Sequence, residues 1–310
     1  MCHSSTDDIT KTEHPSLKPE SRNTMRAVVI HEHGGPENLV YEANFPDPEC
    51  GDDDVVLRVK ASSLNYHDIF TRRGMPGIKV PMPTIMGLDF AGEIVAVGAE
   101  VGDWKVGQRV VIDPVDRVGP GGLIGEMWHG GLAELCCLPA HHLVNLPDDV
   151  SYEVASCLAC AYGTALRMMY TIGNVKEGEK VLILGASGGV GTCCVQLAKS
   201  AGCEVIACAS SEAKLERLSK LGADHLLDYT KEDFRKWVYG KFGKPHRREF
   251  DGDGLDVVVN FTGGDTWVPS LRVVKRRGRI LTCGATAGYD PNEDLRFIWT
   301  YEIQVLGSNG

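Results

Sequence analysis

Apolar residues change their rhythm half way along this chain. Up to about residue 150 they come in short β-branched runs, at residues 25–30, 55–61, 90–97 and 109–112, broken by turn signals such as Gly102-Asp103 and Gly107. Runs of that length between glycine, proline and aspartate clusters predict an irregular, β-rich first part. Residues 151–170 read as one helix joining the halves, with Ser151 as its N-cap behind Pro147-Asp148-Asp149. From Glu179 onward strand-like and helix-like segments alternate. The strands fall at residues 181–184, 204–209, 225–229, 255–261, 279–283 and 303–306, and six of them predict an α/β class with a doubly wound parallel sheet. Residues 240–254, with Pro245 and two Asp-Gly-type turns, read as a surface insertion before the fourth strand.

The first of these strands carries chemistry. Val181 to Leu184 is an unbroken apolar run, suited to a strand buried on both faces, and Gly185, Gly188 and Gly191 follow as G-x-x-G-x-x-G. Val190, Cys194, Val195, Leu197, Ala198 and Ala201 then share one helical face. A strand, a glycine turn and a helix bring backbone N–H groups to a pyrophosphate at the positive end of the helix, where a Cβ would block the approach. Ser187, Gly188, Gly189 and Val190 are the residues this nominates for dinucleotide binding. The next strand ends Cys208-Ala209-Ser210-Ser211-Glu212-Ala213-Lys214. A neutral residue where an NAD site places an acid, followed by Ser210, Ser211 and Lys214, suits a 2′-phosphate and so NADP(H). The alternative is that Glu212 serves as the acid and Lys214 is a solvated helix residue.

Composition narrows the partners. A formal charge of −10 and no basic stripe argue against a nucleic acid or an anionic membrane surface, and no apolar run reaches membrane-spanning length. Eleven cysteines, single or in adjacent pairs within core-like segments, suggest reduced thiols and a cytoplasmic location. Cys157 and Cys160, three apart inside the helical segment, read as buried core, and His141-His142 as structural or exposed. Residues 1–24 are polar and mixed in charge without an apolar core, which suggests a disordered extension rather than a signal. The glycine-rich stretch 114–131 holds Met127, Trp128 and His129, which read either as cleft-lining side chains or as part of a surface loop.

Three local motifs carry a resemblance. The segment Gly87-Leu88-Asp89-Phe90-Ala91-Gly92-Glu93-Ile94-Val95-Ala96-Val97-Gly98, then Gly107-Gln108-Arg109-Val110, then Gly130-Gly131-Leu132-Ala133-Glu134, together with the glycine turn, resemble the medium-chain dehydrogenase/reductase superfamily over residues 25–310. The resemblance implies a GroES-like β-rich substrate domain over 25–150 and a Rossmann dinucleotide-binding domain over 151–310. It also exposes a departure. The positions where zinc alcohol dehydrogenases hold catalytic zinc are Asn65, Leu88 and Ser156 here, and no cysteine lies between Val115 and Glu134 for a structural zinc lobe. The chain thus resembles the zinc-free quinone oxidoreductase and enoyl reductase side, with no metal expected. A displaced zinc set recruiting Cys157 with His67 or Asp89 is one alternative, and a catalytically silent NADPH-binding protein is another.

The resemblance implies hydride transfer from NADPH to a small-molecule quinone or α,β-unsaturated carbonyl. It places Asn65, Tyr66 and His67 beside the nicotinamide, the first two as hydrogen-bond donors and His67 as a proton shuttle. Thr164 and Tyr162 are expected near the carboxamide or the helix start, and Tyr229 against adenine. Family members continue past the sixth strand, whereas this chain stops at Gly310. The expectation is a missing return segment, exposed apolar surface, and a homodimer formed along the edge at 303–306.

Overall fold

The computed structural model describes residues 23–75, 79–249 and 252–309. Residues 1–22, most of the suggested extension, lie outside the described residues, and Thr24 already opens the first strand. The first part runs β1 (Thr24–Ile30), β2 (Val40–Pro46), β3 (Asp54–Ser63), α1 (Tyr66–Arg73), β4 (Thr84–Ile85), β5 (Asp89–Val97), β6 (Arg109–Ile112), β7 (Leu135–Pro139) and β8 (Leu143–Asn145). Its strands form two antiparallel sheets, ordered β7-β3-β5-β6-β8 and β2-β1-β4. Val55, Leu57, Phe90, Ile94, Val110, Ile112 and Leu138 turn to one face of the larger sheet and make its core. Trp128 packs against that core, and His129 accepts the Ile85 N–H through Nδ1 at 3.2 Å. Of the three large side chains of that loop, Met127 and His129 are exposed and Trp128 is half-buried.

The expected single helix over 151–170 is broken. It comprises α2 (Tyr152–Ala155), a π-helical segment Leu158–Tyr162, α3 (Gly163–Leu166) and a second π-helical segment Arg167–Ile172. Ser151 does cap it, accepting the Val154 N–H at 3.3 Å. The break has a local cause: the Ser156 hydroxyl and the Cys157 thiol both donate back to the Glu153 carbonyl, at 3.0 and 3.4 Å, in competition with the backbone. One consequence is that Cys157 is exposed, not buried as its spacing suggests, while Cys160 is half-buried.

The second part holds β9 (Lys180–Ile183), α4 (Gly189–Ser200), β10 (Glu204–Ala209), α5 (Glu212–Lys220), β11 (His225–Asp228), α6 (Phe234–Phe242), β12 (Leu255–Val259), α7 (Trp267–Val273), β13 (Val274–Thr282), α8 (Leu295–Tyr301) and β14 (Gln304–Gly307). Six parallel strands lie in the order β11-β10-β9-β12-β13-β14. This is the α/β doubly wound arrangement, and its apolar runs fill two cores, one on each face of the sheet. The fourth strand stops at Val259 because the buried Asn260 bends the chain, its Oδ1 accepting the N–H groups of Thr262 and Gly263. The expected insertion is shorter than 240–254, since Gly240 belongs to α6. The chain leaves β9 toward β10 on one side and toward β12 on the other. Strand order reverses there, which opens a crevice beyond the carboxyl ends of the strands.

Candidate active site

The glycine turn sits at that reversal. Gly185 adopts φ +63°, a conformation that disfavours a side chain, and Gly188 caps α4 without any side-chain bond over the helix end. The first N–H groups of α4, from Gly189 and Val190 onward, therefore have no partner within the helix. Ser187 is half-buried, while Gly188 and Gly189 are exposed. Gly191 serves packing instead, because a Cβ there would run into the Gly185 carbonyl oxygen and the Ala186 backbone. These features make a cradle for an anion that only glycine permits.

The residues expected to select the nucleotide fall at the ends of the neighbouring strands. Ser210 follows β10, Ser211 is the N-cap of α5, and Lys214 reaches back so that its Nζ lies 3.1 Å from the Ser210 hydroxyl. An ammonium and two hydroxyls thus gather at a helix N-terminus. Glu212 is exposed in the first turn of the same helix. Tyr229 is exposed just beyond β11, its N–H donating to the Ala209 carbonyl at 3.2 Å. Thr164 lies in α3, and Ala161 of the preceding π-helical segment comes close to Gly189, so the linking helix flanks the cradle.

The β-rich part meets the same place through Asp89. This carboxylate is wholly buried at the start of β5, and its Oδ2 accepts from the Ser63 hydroxyl at 3.1 Å, the Asn65 amide at 3.3 Å and the Cys160 N–H at 3.4 Å. Burial raises its pKa to about 6, against which the Asn65 and Ser63 bonds pull only in part. Asp89 therefore ties three elements together: β3, the start of α1 and the linking helix.

At the start of α1 the expected catalytic trio separates. The Asn65 side chain is engaged with Asp89, and its N–H donates to Asp68 Oδ2 at 2.7 Å. Tyr66 is exposed, edge-on to Phe70 with ring centroids 5.0 Å apart. His67 is held at Nε2 by Glu126 Oε1 at 2.5 Å. Glu126 is buried in the glycine-rich loop and also accepts from the Thr71 hydroxyl at 3.3 Å. The Nδ1 of His67 makes no hydrogen bond to the described residues. Reading the sequence missed Glu126, because the partners stand 59 positions apart and nothing local marks the pairing.

The residues at the positions expected by register to hold zinc do not suit the ion. Asn65 is occupied by Asp89, Leu88 is a buried apolar side chain, and the Ser156 hydroxyl is spent on Glu153. The displaced set is not assembled either, since His67 is paired with Glu126 and the Cys157 thiol donates to Glu153. Among the described residues, three ligand atoms gather in one other place, at Asp116, His141 and His142.

Comparison with known proteins agrees with the fold. Residues 51–148 match the alcohol dehydrogenase GroES-like domain, and residues 189–310 match the zinc-binding dehydrogenase domain. A quinone oxidoreductase-like protein 2 homolog of Nematostella vectensis is 32% identical over 290 residues, covering 93% of this chain and 73% of that protein. A crotonyl-CoA reductase of Streptomyces avermitilis is 29% identical over 325 residues, covering 88% and 71%. The solved 2-octenoyl-CoA carboxylase reductase CinF, in complex with NADP and 2-octenoyl-CoA, superposes with a TM-score of 0.79 at 26% identity, covering 93% and 76%.

Proposed function

The chain belongs to the medium-chain dehydrogenase/reductase superfamily of oxidoreductases, and from that premise we propose an NADPH-dependent reductase of quinones or α,β-unsaturated carbonyls that works without catalytic zinc. One observation carries the proposal: at the three positions read by register as the zinc-holding ones, Asn65 bonds to Asp89, Leu88 is a buried apolar side chain and the Ser156 hydroxyl bonds to the Glu153 carbonyl. Lacking a Lewis acid, the site suits acceptors that are already electrophilic. The named substrates of the two reductases above, crotonyl-CoA and 2-octenoyl-CoA, are of that kind.

Bound NADPH supplies the hydride. The N–H groups of Gly188, Gly189 and Val190, with Ser187, take the pyrophosphate, and Ser210, Ser211 and Lys214 take the 2′-phosphate. Thr164 orients the carboxamide and Tyr229 covers adenine. The substrate oxygen, where negative charge would gather on reduction, would take hydrogen bonds from the exposed Tyr66 hydroxyl and from the second N–H of the Asn65 amide, whose first N–H is held by Asp89. His67, through Nδ1, would pass one proton to the resulting enolate or hydroquinone anion, which becomes the neutral product. The buried Glu126 carboxylate fixes the ring at Nε2. Strand β14, last in the sheet among the described residues and with Val305 exposed, supplies the surface for a homodimer.

The test is NADPH consumption with a quinone panel and an enone panel. Initial rates should hold in the presence of a chelator, and His67→Gln should lower kcat about 100-fold with little change in the KM for NADPH. Loss of turnover on chelation with recovery on added zinc would overturn the zinc-free reading. Tight NADPH binding with no turnover on either panel would show a silent binding protein instead.

A further inference from the structure

Behind the larger antiparallel sheet, the turn between β7 and β8 places two histidines against the loop that follows β6. His142 is wholly buried, and its Nδ1 lies 2.7 Å from the Asp113 carbonyl oxygen. A carbonyl only accepts, so Nδ1 carries the hydrogen and Nε2 keeps its lone pair. That Nε2 is buried and has no hydrogen-bond partner. Beside it, Asp116 is buried and lies 3.0 Å from His141 Nε2. Backbone N–H groups of Val118, Gly119 and Gly121 donate to the Asp116 carboxylate at 3.1, 2.8 and 3.1 Å.

We propose that Asp116, His141 and His142 form a site for one divalent transition-metal ion, best matched by zinc. One ligand atom from each residue lies within 4.8 Å of the other two, so a modest contraction brings all three to a shared ion. Two imidazoles and a carboxylate are a donor set that zinc accepts, with water in the fourth position. The supporting contacts of such a site are already in place. The Asp113 carbonyl fixes the His142 tautomer, Trp128 packs edge-on against that ring at 5.8 Å, and three backbone N–H groups orient Asp116. An orphaned, buried, lone-pair-bearing nitrogen costs stability unless something meets it, and an ion would do so. His141 is 32% exposed, which gives the ion an entry from solvent. On binding, His141 moves its hydrogen from Nε2 to Nδ1. The site shares no residue with the cofactor cradle or with His67, so occupancy fastens the loop at 113–122 to the β7–β8 turn and acts on stability rather than turnover.

The experiment is a titration of the metal-stripped full chain with cobalt(II) and with zinc, alongside His141→Gln and Asp116→Asn. Both substitutions keep a hydrogen-bonding group of similar shape, and circular dichroism checks their folding. The expected result is one ion per chain, a cobalt spectrum without the intense thiolate charge-transfer band of cysteine ligation, and affinity weakened by at least about 100-fold in both variants. Zinc should also raise the melting temperature of the parent chain and leave the variants unchanged. The proposal is overturned if no ion binds at micromolar metal, if both variants bind like the parent, or if the spectrum shows thiolate ligation.

Discussion

Replacing Asp89 by Asn should make this protein more stable at pH 8, and the gain should fade in acid. The carboxylate is wholly buried, and its pKa is raised from 3.8 to about 6, chiefly by burial. A folded-state value above the unfolded one means that the folded chain holds this proton longer. Stability therefore falls as pH rises from about 4 to about 6 and stays level above that. The difference of about two units corresponds to about 3 kcal/mol at pH 8. An amide keeps the shape and an oxygen that can accept from Ser63, Asn65 and Cys160, while the unpartnered Oδ1 position remains unpartnered in both proteins. The substitution thus removes the charge penalty and little else. At about 2–4 °C per kcal/mol, the expected rise in melting temperature is about 6–12 °C at pH 8. Near pH 4 the gain should shrink below about 1 kcal/mol. Thermal and urea unfolding of both proteins across pH 4 to 8 measures it, and other titrating groups cancel in the difference. A variant no more stable than the parent at pH 8, or a gain that does not change with pH, would refute the reasoning.

The remaining predictions concern the cradle and the sheet edge. Gly191→Ala should cost about 1–3 kcal/mol of stability by forcing a Cβ against the Gly185 carbonyl, and it should weaken NADPH binding in the same protein, read by melting temperature and nicotinamide fluorescence. Lys214→Ser should raise the KM for NADPH by about 10–100-fold, the worth of one charge-assisted bond, while leaving that for NADH almost unchanged. Equal effects on both cofactors would reassign Lys214 to the solvated surface. Val305→Lys on β14 should convert the proposed homodimer to monomer in light scattering, and a chain that is monomeric before the substitution would dismiss that interface.

Much of the fold is legible in the sequence because its signals are local. The run Val181 to Leu184 and the three glycines determine a buried strand, a tight turn and a helix start by sterics and burial alone, and the six apolar runs that alternate with helices determine the doubly wound sheet. The hydroxyls and lysine after Ala209 are as plainly placed, since a strand end and a helix start fix where they fall. Strand β2 left no such signal: it is mostly exposed, so it needs no alternation. What tertiary structure alone decided are pairings across distance. The bond between His67 and Glu126 spans 59 positions, Asp89 collects Ser63, Asn65 and Cys160 from three elements, and His142 meets Asp116 across a turn. Periodicity tells which face of an element is buried. Which polar groups share that burial, and so which carboxylate holds its proton or which imidazole keeps a free lone pair, depends on how the elements pack.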